Sequence, residues 1–260
     1  TGSSGMLGRN ILSHPESDKY NWLTPARSEL DLLNFTDVNN FIKKEKPEFI
    51  IHAAGKVGGI NSHLNNQFNF FYENLEIGKN VIIAAKNNGV KKLINISSGS
   101  VYPDFGKKEL FENDILTGPL NNNTEGYSLA KIAILKLCLF ISTEHNDFNY
   151  KSIIASNLFG FWDKFDNNGH MIPSLIYRIH HAKKNNEIVE IWGDGKAKRQ
   201  FLFAKDFSKF LFLAISNFNK MESVTNVGFD TDYTVKDYNL MVAKVVGYNL
   251  NFKYDLSKPV

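Results

Sequence analysis

Short apolar runs alternate along the chain with longer amphipathic segments. "PEFIIHAAG" (47–55) and "KKLINISS" (91–98) are continuous apolar runs ending in small residues, the pattern of strands buried on both faces. Between them, "NFFYENLEIGKNVIIAAKNNGV" (69–90) has helical spacing, with Gly89 placed where a helix terminates. A second long helical pattern covers "EGYSLAKIAILKLCLFIS" (125–142), and "YKSIIASNLFG" (150–160) reads as strand again. A further strand is expected at the head of "YNWLTPARSELDLLN" (20–34). This alternation predicts an α/β fold: a Rossmann-type doubly wound parallel sheet with helices on both faces.

From about Phe161 the texture changes. "FWDKFDNNGHMIPSLIYRIHHAKKNNE" (161–187) reads as a loop and then a helix, and "IVEIWGDGKAKRQFLFAKD" (188–206) as short strands around a turn. Two parts are therefore expected. Residues 1–160, with 196–232 returning to them, form a dinucleotide-binding domain, and 161–195 plus 233–260 form a small mixed α/β substrate lobe.

The opening stretch "TGSSGMLGRNIL" spaces Gly2, Gly5 and Gly8 three apart before a helical pattern. Such glycines permit a tight turn and let backbone N–H groups approach a pyrophosphate. Gly2, Ser3, Ser4, Gly5, Met6, Leu7 and Gly8 would form that cradle; the alternative is a glycine-rich turn with no ligand. In the next segment no acid follows Leu23, where an NAD-selective strand would hold the ribose 2′-OH, and Arg27 comes instead. An arginine suits a 2′-phosphate, which favours NADP(H), with Asp31 and Leu32 toward the adenine end. The alternative for Arg27 is a solvated loop charge.

Tyr127 and Lys131 lie one helical turn apart and share a face. A phenol, with an ordinary pKa of about 10, becomes a usable acid when an ammonium beside it favours the phenolate. A serine hydroxyl from another segment would polarise a substrate carbonyl.

Composition narrows the partners. A net charge of +3, evenly spread, gives no reason to expect nucleic acid, and 43% apolar residues are ample for a core. A single cysteine excludes an internal disulfide and a thiolate metal cluster, so a reducing, cytoplasmic setting is expected and no metal. No apolar run reads as long enough to span a bilayer, and no signal peptide is visible. The chain opens at Thr1 and stops at "LSKPV", so both ends are expected to be trimmed.

Several stretches carry a resemblance: "HAAGKVGGI" (52–60), "SSGSVYP" (97–103), "LTGPLNNNTEGYSLAKIAILKLC" (116–138), "SNLFG" (156–160), "HMIPSLIYR" (170–178), "WGDGKAKRQFL" (192–202) and "SKP" (257–259). In these the chain resembles the extended short-chain dehydrogenases/reductases of nucleotide sugars, and within them the GDP-L-fucose synthases. The resemblance implies a catalytic Ser98, Tyr127 and Lys131. Tyr127 would deliver a proton to the C4 oxygen, and Lys131 would bind the nicotinamide ribose. Ala53, Ala54, Gly55, Ile96, Ser97, Asn157, Leu158 and His170 would line the cofactor. Ser100, Asn157, Arg178, Trp192 and Arg199 would meet the nucleotide-diphosphate sugar, the arginines bidentately. It also implies a homodimer through the helix 125–142 and the one before it.

The chain departs from that group in one informative place. GDP-L-fucose synthases epimerise C3 and C5 before reducing C4, and the resemblance assigns this step to a histidine, here His170, and a cysteine. The cysteine position is Ser100 here. A thiol ionises near 8.5 and a serine hydroxyl far higher, so serine is a poor partner for a carbon acid. Smaller departures are Gly99 for a serine, Ala155 and Ser156 for Pro-Thr, and "FAKD" (203–206) for a V-D-D-like run. The sole cysteine, Cys138, sits in an apolar run and reads as a buried structural thiol.

The expected function is NADPH-dependent C4 ketoreduction of a GDP-4-keto-6-deoxy sugar, hexose or heptose, without C3/C5 epimerisation, serving surface polysaccharide or capsule assembly. The alternatives are a full 3,5-epimerase/4-reductase and a non-catalytic NADP(H)-binding sensor or scaffold.

Overall fold

A computed structural model of the chain describes residues 1–257 apart from Phe105, Lys107, Lys108, Asn168 and Leu250. Of the Ser-Lys-Pro motif, only Ser257 is among them. The first half runs α1 (Met6–Leu12), α2 (Phe35–Glu45), β1 (Phe49–His52), α3 (Ile60–Leu64), α4 (Gln67–Asn87), β2 (Lys92–Ser98) and α5 (Glu125–Glu144). Next come β3 (Asn149–Ala155), β4 (Asn157–Phe159), α6 (Met171–Asn185), β5 (Val189–Trp192), β6 (Lys198–Arg199) and β7 (Phe201–Phe203). The chain continues with α7 (Ala204–Ser216), β8 (Val224–Val227), β9 (Tyr233–Thr234), α8 (Val235–Val246) and β10 (Phe252–Asp255).

β1, β2, β3 and β8 form one parallel sheet in that order, with Phe49 opposite Lys92 and Lys92 opposite Asn149. Successive residues of β2 feed opposite faces. Leu93 joins a core with Val81 and Ile82 of α4 and Ile134 and Cys138 of α5, while Ile94 and Ile96 join Ile11 of α1 and Phe207 and Leu211 of α7. Burial on both faces is why the run reads as continuously apolar. A Cβ on Gly78 of α4 would lie 2.6 Å from Ile134 Cγ1, so glycine is what lets α4 and α5 approach.

Two expectations need correction. Residues 20–26 form no strand, because extended backbone becomes a strand only through a ladder partner. Tyr20–Pro25 and Phe49–Ile51 instead line one cavity of about 720 Å³, and among the described residues β2 is the only neighbour of β1 in the sheet. Second, α5 is long and apolar enough, by length and composition, to cross a membrane. In this fold it is a core helix, with Ile134, Leu135, Cys138 and Ile141 buried against α4, β2 and β3. Leu129 and Phe140 of α5 and Phe68 and Tyr72 of α4 remain exposed.

A third core joins α6, β5, α8 and β10 through Leu175, Ile179, Val189, Tyr238 and Ala243. β5 and β10 pair in parallel there, and β6 pairs antiparallel with β9.

Candidate active site

The glycine turn is welded to the loop after β1. Gly2 has φ +75, and its carbonyl accepts from Gly5 N at 3.1 Å. A Cβ on Gly2 would stand 2.7 Å from Ala54 N, and one on Gly8 would stand 2.2 Å from Gly2 O. Only hydrogen fits at either place. Ser3, Ser4, Met6 and Leu7 lie on this turn and the first turn of α1, bringing bare backbone beside Ala53, Ala54 and Gly55. Asn74 of α4 clamps that loop: its Oδ1 accepts from Lys56 N at 2.9 Å and its Nδ2 donates to Lys56 O at 3.1 Å. Arg27 and Asp31 are exposed on the 20–34 segment, Asp31 Oδ1 accepting from Leu33 N, and the Leu32 carbonyl accepts from Asn80.

At the end of β2 the three serines part company. The chain turns through a short 3-10 turn at Gly99–Val101, where Ser98 Oγ accepts from Ser100 N at 3.3 Å. Ser98 is also hydrogen-bonded to the Tyr127 hydroxyl. The Ser97 and Ser100 hydroxyl oxygens are buried with no hydrogen-bond partner among the described residues. So only Ser98 engages the tyrosine.

Burial pushes the Tyr127 phenol up to about 12, opposed by the Ser98 hydrogen bond. Lys131 Nζ lies 5.7 Å from the Tyr127 ring centre and donates to the Ile96 carbonyl at 3.0 Å. Burial dominates at Tyr127 and leaves a neutral phenol able to donate its proton. Lys131 is itself lowered by burial from 10.5 to about 8. Between these values the unfolded chain keeps a proton that the folded chain has released, so stability rises with pH across that window. In Lys131→Met this increment is expected to vanish, a difference read from melting temperatures of both proteins over the same pH range.

His63, which the sequence reading passed over, belongs to this site. Its ring stacks on Phe70 at 3.8 Å and meets Tyr127 edge-on at 5.4 Å. Burial, then the charge of His170, lowers its pKa, while a hydrogen bond to the Gly58 carbonyl opposes. Nothing in "INSHLNN" marks the residue as special, since its neighbours come from α4 and α5. His170 stands at the N-cap position of α6 without a side-chain capping bond, its Nδ1 4.0 Å from the carboxylate of Asp163, a second group the sequence reading missed. Asn157 donates to Gln200 O at 3.0 Å on the exposed side of β4, and Leu158 packs toward the α1/α7 core.

Arg178, Trp192 and Arg199 come together around a cavity of about 680 Å³ that Gly59, Ser62 and Gly169 also line. Arg178 Nη1 donates to the Glu190 carbonyl at 2.9 Å, and its guanidinium lies 5.9 Å from the Trp192 ring centre. Ser62 adjoins His63 and Gly169 adjoins His170, so the cavity wall runs up to the Ser98–Tyr127 pair's neighbours. The Cys138 thiol is buried and pushed up to about 12, which keeps it a protonated core group.

The sequence profile of the NAD dependent epimerase/dehydratase family matches residues 1–228. GDP-L-colitose synthase of Yersinia pseudotuberculosis is 48% identical over 262 residues, covering 100% of this chain and 85% of that protein. GDP-L-fucose synthase of Azorhizobium caulinodans is 40% identical, covering 100% of this chain and 84% of its own. Among solved structures, MlghC, the GDP-mannoheptose C4 reductase of Campylobacter jejuni with NADP bound, superposes with a TM-score of 0.88. It is 28% identical and covers 98% of this chain and 86% of its own.

Proposed function

The chain belongs to the NAD dependent epimerase/dehydratase family, as an NADP-dependent oxidoreductase of GDP-linked sugars, and we propose that it reduces the C4 ketone of a GDP-4-keto-6-deoxy hexose or heptose without epimerising C3 or C5. One observation carries the reading. At the end of β2 the Ser98 hydroxyl engages Tyr127, whereas the Ser100 hydroxyl is buried and engages nothing described.

The residues present fit NADP(H), because the turn at Gly2 and Gly8 lays bare backbone against the Ala53–Gly55 loop, with no room for a Cβ on Gly2, Gly8 or Gly55. In this reading the sheet domain with that turn holds the cofactor, and the cluster of α6, β5, α8 and β10 receives the nucleotide. When bound, NADPH supplies a hydride to C4. Ser98 and Tyr127 hold the C4 oxygen between two hydroxyls, and Tyr127 gives it the phenolic proton as charge develops there. Lys131, fixed by the Ile96 carbonyl, keeps a donor beside the reacting centre. Arg178 and Arg199 supply guanidinium groups for the diphosphate.

Epimerisation would need a second proton-exchanging group opposite His170. A buried hydroxyl at Ser100, with no base hydrogen-bonded to it, is ill-suited to exchange a proton with carbon. The test is turnover of a GDP-4-keto-6-deoxy sugar with NADPH in D2O, followed by NMR of the product. The expected product carries no solvent deuterium at C3 or C5; deuterium placed there by this protein alone would return the site to a bifunctional epimerase/reductase.

A further inference from the structure

Besides Arg178 and Arg199, the cavity beneath Trp192 is lined by two carboxylates, Glu187 and Glu190, which a diphosphate cannot use; Glu187 lies by His181, 3.6 Å away. Burial alternates along β5, so Glu190 and Trp192 project from the same half-buried face, and both line the cavity. Arg178 arrives from α6 at the same spot, its Nη1 on the Glu190 carbonyl and its guanidinium within the field of the Glu190 carboxylate. A carboxylate accepts hydrogen bonds only, and it repels phosphate. What it suits is a group offering two N–H donors side by side.

Among the common nucleotide bases that group is the edge of guanine, where N1–H and the N2 amine are adjacent. Adenine sets its amine beside a lone pair, and uracil places one N–H between two carbonyls, so both turn acceptors toward a carboxylate. We propose that Glu190 is the residue that selects guanine, with Trp192 as the flat surface beside the base and Arg178 and Arg199 on the diphosphate. The inference rests on the GDP-sugar reading above and goes further by naming the group that recognises the base.

Calorimetric titration of the protein saturated with NADP, so that ADP cannot enter the cofactor cradle, with GDP, UDP and ADP tests it. The unmodified protein is expected to bind GDP most tightly. Glu190→Gln replaces one acceptor by a donor and is expected to weaken GDP by about 10- to 100-fold, the usual discrimination of a bidentate base contact, with UDP changed by less than about threefold. Glu190→Asp, which keeps both oxygens, is expected to fall between the two. A Gln variant with an unaltered GDP-to-UDP ratio overturns the role of Glu190 and leaves the GDP reading standing. Equal loss of both nucleotides makes Glu190 a support for the pocket and also overturns it. An unmodified protein that prefers UDP or ADP overturns the GDP reading itself.

Discussion

Tyr127→Phe is expected to lower reduction of a 4-keto sugar nucleotide by about 10²- to 10⁴-fold, the span that a positioned general acid contributes. NADPH binding should change little. The substitution removes one oxygen and keeps the ring, so the edge-on contacts with His63 at 5.4 Å and Phe70 at 6.5 Å survive and the fold is not challenged. What is lost is the hydroxyl that Ser98 engages, and with it the phenolic proton beside Ser98; the Tyr102 phenol, nearby in sequence, is turned to Asn226 instead. The loss belongs in kcat rather than KM, because the proton moves only as charge develops on the C4 oxygen. Absorbance at the NADPH band follows turnover, and fluorescence titration follows binding. A variant that keeps more than about a tenth of the parent rate would remove Tyr127 from the acid role, since no smaller factor is expected of that role.

Gly8→Ala is expected to abolish measurable NADPH binding, a rise in Kd of at least about 100-fold, and to lower the melting temperature. Gly8 has an ordinary backbone conformation, so strain in φ is not the cause. The new methyl would stand 2.2 Å from Gly2 O and 2.6 Å from Ser3 Cα, both backbone atoms of the turn itself. Neither can move without displacing Gly2, whose own carbonyl anchors Gly5 and whose Cα already abuts Ala53 and Ala54. Overpacking of this kind costs about 1–3 kcal/mol, about 2–4 °C per kcal/mol in a chain this long, and the damage falls where the cofactor would lie. Gly89→Ala is the comparison: it sits at φ +74 with nothing within 4 Å, so it should carry backbone strain and leave NADPH affinity alone. Isothermal titration and thermal melts of the two variants separate a blocked cradle from general instability. Equal NADPH affinities in the two would refute the close-approach argument.

Parts of this site were legible because they are local. Tyr127 and Lys131 are one turn apart, and any helix would place them together. The glycine spacing announces a turn whatever follows it. The parallel strands were legible because burial on both faces leaves an unbroken apolar run, as in "KLINI". Residues that matter through distant neighbours were not. Asn74 looks like one more polar residue of α4 until the loop at Lys56 folds against it. Asp163 lies in a loop with other charges, and only the position of His170 makes it notable.

The same division holds for "ISSGSVYP". Composition and order alone determined that this protein is an α/β sheet enzyme with a glycine turn, a Tyr-Lys helix and a serine-rich strand end, because each of those is written within one or two turns of chain. Tertiary structure decided which hydroxyl meets the phenol, since the 3-10 turn at Gly99–Val101 directs Ser98 to Tyr127 and leaves Ser100 buried without a partner. It decided that His63 stands beside the tyrosine and that Glu190 and Trp192 share a wall with Arg178. It also decided that Tyr20–Leu23 is no strand, because pairing is a property of two segments and cannot be read from one.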